Sequence, residues 1–288
     1  MRDLNYELKK LCLRNSDGSY ATQYARERIL TMIATQLHEM GFRDLQAKSL
    51  KPKHVQALVE RWKAEALSPG TIKNRMTELR WWAEKIAKQN VIARGNDQYG
   101  IAKREYVTNV SQARELSAAD LAKVTDPYTQ LSLKLQAAFG LRREESIKIR
   151  PQWADRDDRL VLMASWTKGG REREIPISTP EQRALLDTAK RFAGSGSLIP
   201  KGMSYVQQLN RFKAQCAQAG IQHVHGHRHY YAQVRYQQLT GWACPASGGP
   251  TSKQLTPEQK GIDRDARMTI TRELGHGRAQ VTAIYLAR

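Results

Sequence analysis

The sequence predicts a mainly helical protein with one small antiparallel β-sheet, arranged as two domains. Three observations carry that prediction. Apolar residues recur at helical spacing along most of the 288 residues. A single pair of apolar runs, 159–166 and 173–177, brackets Lys168-Gly169-Gly170, a hairpin signal. Between about residues 88 and 112 the periodicity fades around Gly95, Asn96, Asp97 and Gly100, which reads as a linker. The domains are therefore expected at 1–105, with linker to about 112, and at 113–288.

In the first domain, residues 20–40 carry Ile29, Ile33 and Leu37 on one face and stop near Gly41. Residues 51–66 form a second helix with Val55, Leu58, Val59 and Trp62 inward. Ser68-Pro69-Gly70-Thr71 opens a third, capped by Ser68 or Thr71. Its apolar side is Ile72, Met76, Leu79, Trp82 and Ile86; Lys73, Asn74, Arg75 and Arg80 fall largely opposite. In the second domain a helix begins at Ser117, another covers 131–139 and ends at Gly140, and the hairpin follows. Helices are expected at about 180–193, 204–219 and 225–238. Residues 240–262, rich in Gly, Pro, Ser and Thr, read as an inserted loop. A helix from about Asp263 and a last one carrying Tyr285 complete the chain. No internal repeat is visible.

Charge narrows the function. Lys and Arg number 47 against 28 Asp and Glu, a net +19. The excess is spread over both domains, as expected for a protein that meets nucleic-acid backbone. Cys12, Cys216 and Cys244 are too scattered for a disulfide framework or a Cys-x-x-Cys zinc site. No apolar run approaches a membrane span, and Met1-Arg2-Asp3-Leu4-Asn5 has no secretory apolar region. A cytoplasmic, nucleoid-associated location is the expectation.

Breaking and rejoining a phosphodiester without losing its energy needs a side-chain nucleophile that holds the phosphate covalently. A tyrosine hydroxyl, with an ordinary pKa of about 10, needs help to lose its proton. Two guanidiniums suit the charge that builds on the phosphoryl oxygens, and a lysine or histidine can protonate the leaving oxygen. Five segments supply such groups: Gly140-Leu141-Arg142 with Glu145, Lys168 in the hairpin turn, His225-Gly226-His227-Arg228-His229, Leu274-Gly275-His276, and Tyr285.

In that order and spacing the segments resemble the tyrosine recombinases, the phage integrase family, over residues 117–288. The basic helical N-terminal third looks like that family's SAM-like core-binding domain. The resemblance implies a C-shaped clamp on DNA with an α+β catalytic domain, and strand exchange through a 3′-phosphotyrosyl bond and a Holliday junction. Arg142 and Arg228 would clamp the scissile phosphate, and Lys168 would protonate the leaving 5′-oxygen. His225 would serve Tyr285 as general base, His276 would donate to a non-bridging oxygen, and Glu145 would orient the cluster. Lys73, Asn74, Arg75 and Arg80 are candidate DNA contacts. Neither metal nor cofactor is implied. The implied partners are double-stranded recombination sites and a homotetramer of the chain on DNA, with room for an accessory DNA-bending or directionality factor.

Alternatives are Arg143 in place of Arg142, and Tyr230, Tyr231 or Tyr236 as nucleophile. At the level of function they are a type IB topoisomerase-like enzyme, a non-catalytic DNA-binding protein, or a metal-dependent His/Tyr nicking enzyme using His223, His225, His227 and His229. The Arg228-to-His276 gap is longer than in typical members, as in integrases of some integrative elements and genomic islands. The sequence ends three residues after Tyr285. Many members carry a tail there that docks on a neighbouring protomer; if this is the natural end, an exchange of that kind is expected to use another element, such as the Tyr285 helix or the inserted loop, the other explanation being a shortened chain.

Overall fold

The computed structural model describes residues 3–288. Chain contacts divide it into two compact units, Met1–Glu105 and Tyr106–Arg288.

The first unit holds helices α1 (Asp3–Arg14), α2 (Tyr20–Glu39), α3 (Pro52–Ala64) and α4 (Pro69–Lys85). α1 adds to the expected set; Leu4 and Leu8, one turn apart, bury its inner edge. Ser19 caps α2 and Ser68 caps α4, each side chain accepting a backbone N–H three residues on. The core packs Leu30, Ile33, Leu37, Leu58, Trp62, Met76, Leu79 and Trp82. Both fully buried indoles are satisfied: Trp62 donates to Gln36 at 2.8 Å and Trp82 to the Ala47 carbonyl at 2.9 Å. Ile92 and Ile101 also belong to this core, so the expected linker is partly structural.

The second unit runs α5 (Ala118–Ala122), α6 (Pro127–Phe139), α7 (Arg143–Lys148), α8 (Pro151–Ala154), β1 (Arg159–Leu162), β2 (Arg173–Pro176), α9 (Pro180–Ala193), α10 (Tyr205–Gln218), α11 (Gly226–Thr240), α12 (Pro257–Glu273) and α13 (Ala279–Leu286). β1 and β2 pair antiparallel, with Leu162 opposite Arg173 and Arg159 opposite Pro176. The first strand is shorter than the apolar run suggested. After Leu162 the chain enters a 3-10 turn, Ala164–Trp166, which swings Trp166 against Trp153 with ring centroids 5.4 Å apart. α12 starts earlier than Asp263, because Thr256 and Gln259 form a capping box with Pro257 at the first helical position. The remainder of the insertion is irregular yet anchored, with Cys244 and Leu255 buried. The main core brings Phe139, Leu160, Ile175, Tyr236, Ile270, Leu274 and Leu286 together behind α11.

Two glycines fix how the chain approaches the centre of this unit. Gly140 ends α6 in the left-handed region at φ +59°, and an added Cβ would lie 2.5 Å from the Tyr231 ring. Gly226, which opens α11, lets the extended segment before α5 cross closely. A Cβ there would meet Arg114 at 2.4 Å, and the Arg114 N–H donates to the Gly226 carbonyl at 3.0 Å.

Candidate active site

Five elements of the second unit converge. The N-terminal end of α7 contributes Arg142 and Glu145, β2 contributes Arg173, and α11 with its cap contributes His225, Arg228 and His229. The turn after α12 contributes His276, and α13 contributes Tyr285.

Glu145 is fully buried and organises the cationic side. It accepts from the Arg142 backbone N–H at 2.6 Å and from its guanidinium at 2.8 Å. Arg173 binds the same carboxylate in a two-pronged pair at 2.8 Å to each oxygen. Burial alone raises the carboxyl's pKa; Arg173 and Arg142 outweigh it and hold Glu145 below its ordinary range. Arg173 escaped the sequence reading, where it was only a strand residue. The available signal was its alternation with Ile175: both side chains face inward on β2.

Arg228 is 1% exposed. It donates to the Gly140 and Leu274 carbonyls and lies 3.4 Å from Nε2 of His276. Burial and the neighbouring Arg173 lower its pKa to about 10, which leaves it charged at neutral pH. The Nε atoms of Arg228 and Arg173 are buried without a hydrogen-bond partner among the described residues. Three guanidiniums around one carboxylate give a net positive centre with unpaired donors, a composition suited to an oxyanion.

Tyr285, 6% exposed, is enclosed by imidazoles. Its hydroxyl lies 3.2 Å from Nε2 of His225. His229 packs on its ring at 4.3 Å between centroids and His276 at 5.2 Å. The Arg228 guanidinium stands 5.9 Å from the ring centre. All three histidines are held below the ordinary imidazole value, first by burial and then by like charge. For His225 the charges are Arg228 and Arg142. His229 falls to about 4, pushed further by His225 and Arg228. His276 falls to about 3, with Arg228, Arg142, Arg173 and His225 all contributing. Each is neutral near pH 7, so His225 can accept the tyrosine proton.

The last turn of α13 is clamped. Gln233 donates to the Tyr285 carbonyl at 2.9 Å, and Arg267 donates to that of Ala287 at 2.9 Å. Ser111 and Ser247 both donate to the Gln233 amide oxygen, so the inserted loop, which also packs on the nucleophile's helix, is tied to it through this side chain.

The other candidates are placed as follows. Lys168 is exposed and joins no hydrogen bond or ion pair among the described residues; Thr167 braces its turn through Arg171. Arg143 is exposed. The Tyr231 and Tyr236 hydroxyls donate to the buried Glu273 and to Asp263. His227 points away to the Arg114 carbonyl, so the alternating histidines do not share a face. No group of three His, Cys, Asp or Glu among the described residues could hold a metal ion. In the first unit, Arg80 donates to the Ala93 carbonyl and to Asn96, and Arg75 lies 5.3 Å over the Trp62 ring. Asn74 is exposed and Lys73 half-buried.

Known proteins agree on the family. The model for the phage integrase N-terminal domain matches residues 1–92, and the integrase model matches residues 102–234. The chain is 16% identical to a lambda integrase dimer bound to a COC′ core site, covering 98% of this chain and 76% of that one, TM-score 0.62. A Tn1549 transposon integrase with circular intermediate DNA is 15% identical over 100% of this chain and 96% of that one, TM-score 0.56. The XerH site-specific recombinase on a palindromic difH substrate is 15% identical over 99% and 81%, TM-score 0.59. No curated protein sequence matches. The chain belongs to the tyrosine recombinase, or phage integrase, family of site-specific recombinases. It is an enzyme of DNA strand transfer, acting in recombination and integration. No described helix is long and apolar enough to cross a membrane.

Proposed function

We propose that the cluster around Tyr285 cuts and rejoins DNA at a specific site through a covalent phosphotyrosyl intermediate. The observation that carries this is the 3.2 Å contact between the Tyr285 hydroxyl and Nε2 of a neutral His225, beside the Arg228 guanidinium. In the proposed step the phenolic oxygen attacks phosphorus, its proton passes to His225, and the bond to the 5′-oxygen breaks. Arg142 and Arg228 take the charge of the pentavalent state. Lys168 supplies the proton to the leaving 5′-hydroxyl, moving in with its exposed turn. His276 donates to a non-bridging oxygen. Glu145 and Arg173 position the guanidiniums.

Lys73, Asn74 and Arg75 are proposed to meet the DNA backbone. Arg80 is proposed to be spent within the fold, since both its recorded acceptors are intrachain. We propose a homotetramer on DNA, acting for a mobile element within the nucleoid; the similar lambda integrase tetramer bound to a Holliday junction supports the assembly, and the similar Tn1549 transposon integrase in complex with circular intermediate DNA supports the mobile-element setting. An accessory bending or directionality factor fits the same role.

The test has two stages. Trapping the covalent complex in cells and sequencing the attached DNA identifies the site. A substrate nicked near the cleavage point then captures the adduct in vitro. Wild type forms it and Tyr285→Phe does not; an adduct from the Phe variant, or none from wild type, defeats the reading.

A further inference from the structure

The buried hydroxyls behind His276 carry a role that the reaction's own residues do not account for. Nδ1 of His276 lies 3.1 Å from the Thr282 hydroxyl, which lies 2.6 Å from that of Thr271; Thr271 in turn donates to the Arg267 carbonyl at 2.7 Å. Thr282 is 0% exposed and Thr271 5%.

The directions of these bonds follow from their ends. A guanidinium only donates, so Nε2 of His276 accepts from Arg228. A neutral imidazole carries one N–H, which is then on Nδ1 and donates to Thr282. Thr271 spends its proton on the Arg267 carbonyl, so Thr282 must donate to Thr271. The chain runs from His276 through Thr282 and Thr271 to Arg267 without a conflict. A phosphate ligand needs the opposite arrangement, with Nε2 protonated and donating outward, and Nδ1 as acceptor. Hydroxyls can supply it by rotation. Thr271 would donate to Thr282 and Thr282 to Nδ1, while the Arg267 carbonyl keeps its partner in the helical ladder.

We propose that Thr282 and Thr271 are positioning residues forming a reversible hydroxyl relay that sets the tautomer of His276. In the free protein the relay holds Nε2 as an acceptor paired with Arg228. On DNA, once Arg228 engages the phosphate, the ring proton exchanges from Nδ1 to Nε2 and the reversed relay holds it there as a donor. The relay couples the guanidinium's partner to the imidazole's proton. The DNA-bound half rests on the reading of His276 as a phosphate ligand.

The test is nitrogen-15 spectroscopy of ring-labelled histidine, assigned with His276→Asn, on the full chain without DNA. Wild type should show Nδ1 of His276 protonated and Nε2 bare. Thr282→Val, which keeps the shape, should lose that preference; Thr282→Ser should keep it. On the nicked substrate Thr282→Val should cleave about 10-fold more slowly at unchanged DNA affinity, with Thr282→Ser near wild type. Thr271→Val should act in the same direction. An Nε2-protonated His276 in free wild type, or a valine variant with wild-type tautomer and rate, overturns the relay. Wild-type cleavage by His276→Asn instead removes the phosphate-ligand reading and leaves the free-protein tautomer measurement standing.

Discussion

Helices α4 and α11 both carry runs of polar and cationic side chains, and the fold uses them differently. On α4 the run divides: Arg80 is bonded to Ala93 and Asn96, Arg75 lies against Trp62, and Asn74 faces out. On α11 the run turns inward, where Arg228 and His229, with the capping His225, meet groups from three other segments: the end of α6, the turn after α12, and α13. Helical periodicity separates an apolar face from a polar one. It does not separate a cation that braces its own domain from one that serves a ligand. Ordered motifs do, because convergence of distant segments requires each to keep its residue type.

The sharpest way to break this contrast is at the centre of the second unit. Tyr285→Phe is expected to abolish the covalent adduct while leaving DNA affinity, measured by titration, near wild type. Arg173→Met is expected to destabilise the fold by about 3–5 kcal/mol in denaturant unfolding, because a buried carboxylate loses its two-pronged partner. A loss below about 1 kcal/mol would show that Arg142 alone satisfies Glu145.

On α4 the effects should be smaller and should part company. Arg80→Ala is expected to cost about 1–3 kcal/mol of stability and leave the salt dependence of DNA binding unchanged. Lys73→Ala should leave stability alone and reduce the salt slope by about one. The reverse pattern would exchange their roles.

A separate effect concerns acid. His229 and His276 are held at about 4 and about 3, below their unfolded value of 6.5. Below that value the unfolded chain binds protons that the folded one refuses. Their stabilisation is therefore present above about pH 6.5 and is lost as pH falls toward 4. The melting temperature should drop over that window, and His229→Gln should flatten part of the slope.

Much of this architecture was legible because long periodic segments and turn glycines are strong signals. The helices over 20–40, 51–66 and 180–193 and the hairpin all read from spacing. α7 and α8 did not, since six and four residues hold too little periodicity. The site residues read as motifs, but their supports did not. Arg173 resembles any solvated strand arginine, Thr271 and Thr282 lie on different helices, and Gln233 acts through a backbone carbonyl. What positions a reacting group is set by three-dimensional neighbours, which a linear string does not display.

The amide of Gln233 joins two things that look unrelated in the sequence: the inserted stretch, through Ser247, and the terminal helix, through the carbonyl of Tyr285. That stretch is thus a strut under the nucleophile. Removing Ser247 would take away one of the two hydroxyls that hold the Gln233 amide, leaving Ser111 alone to keep that side chain aimed at the carbonyl of Tyr285.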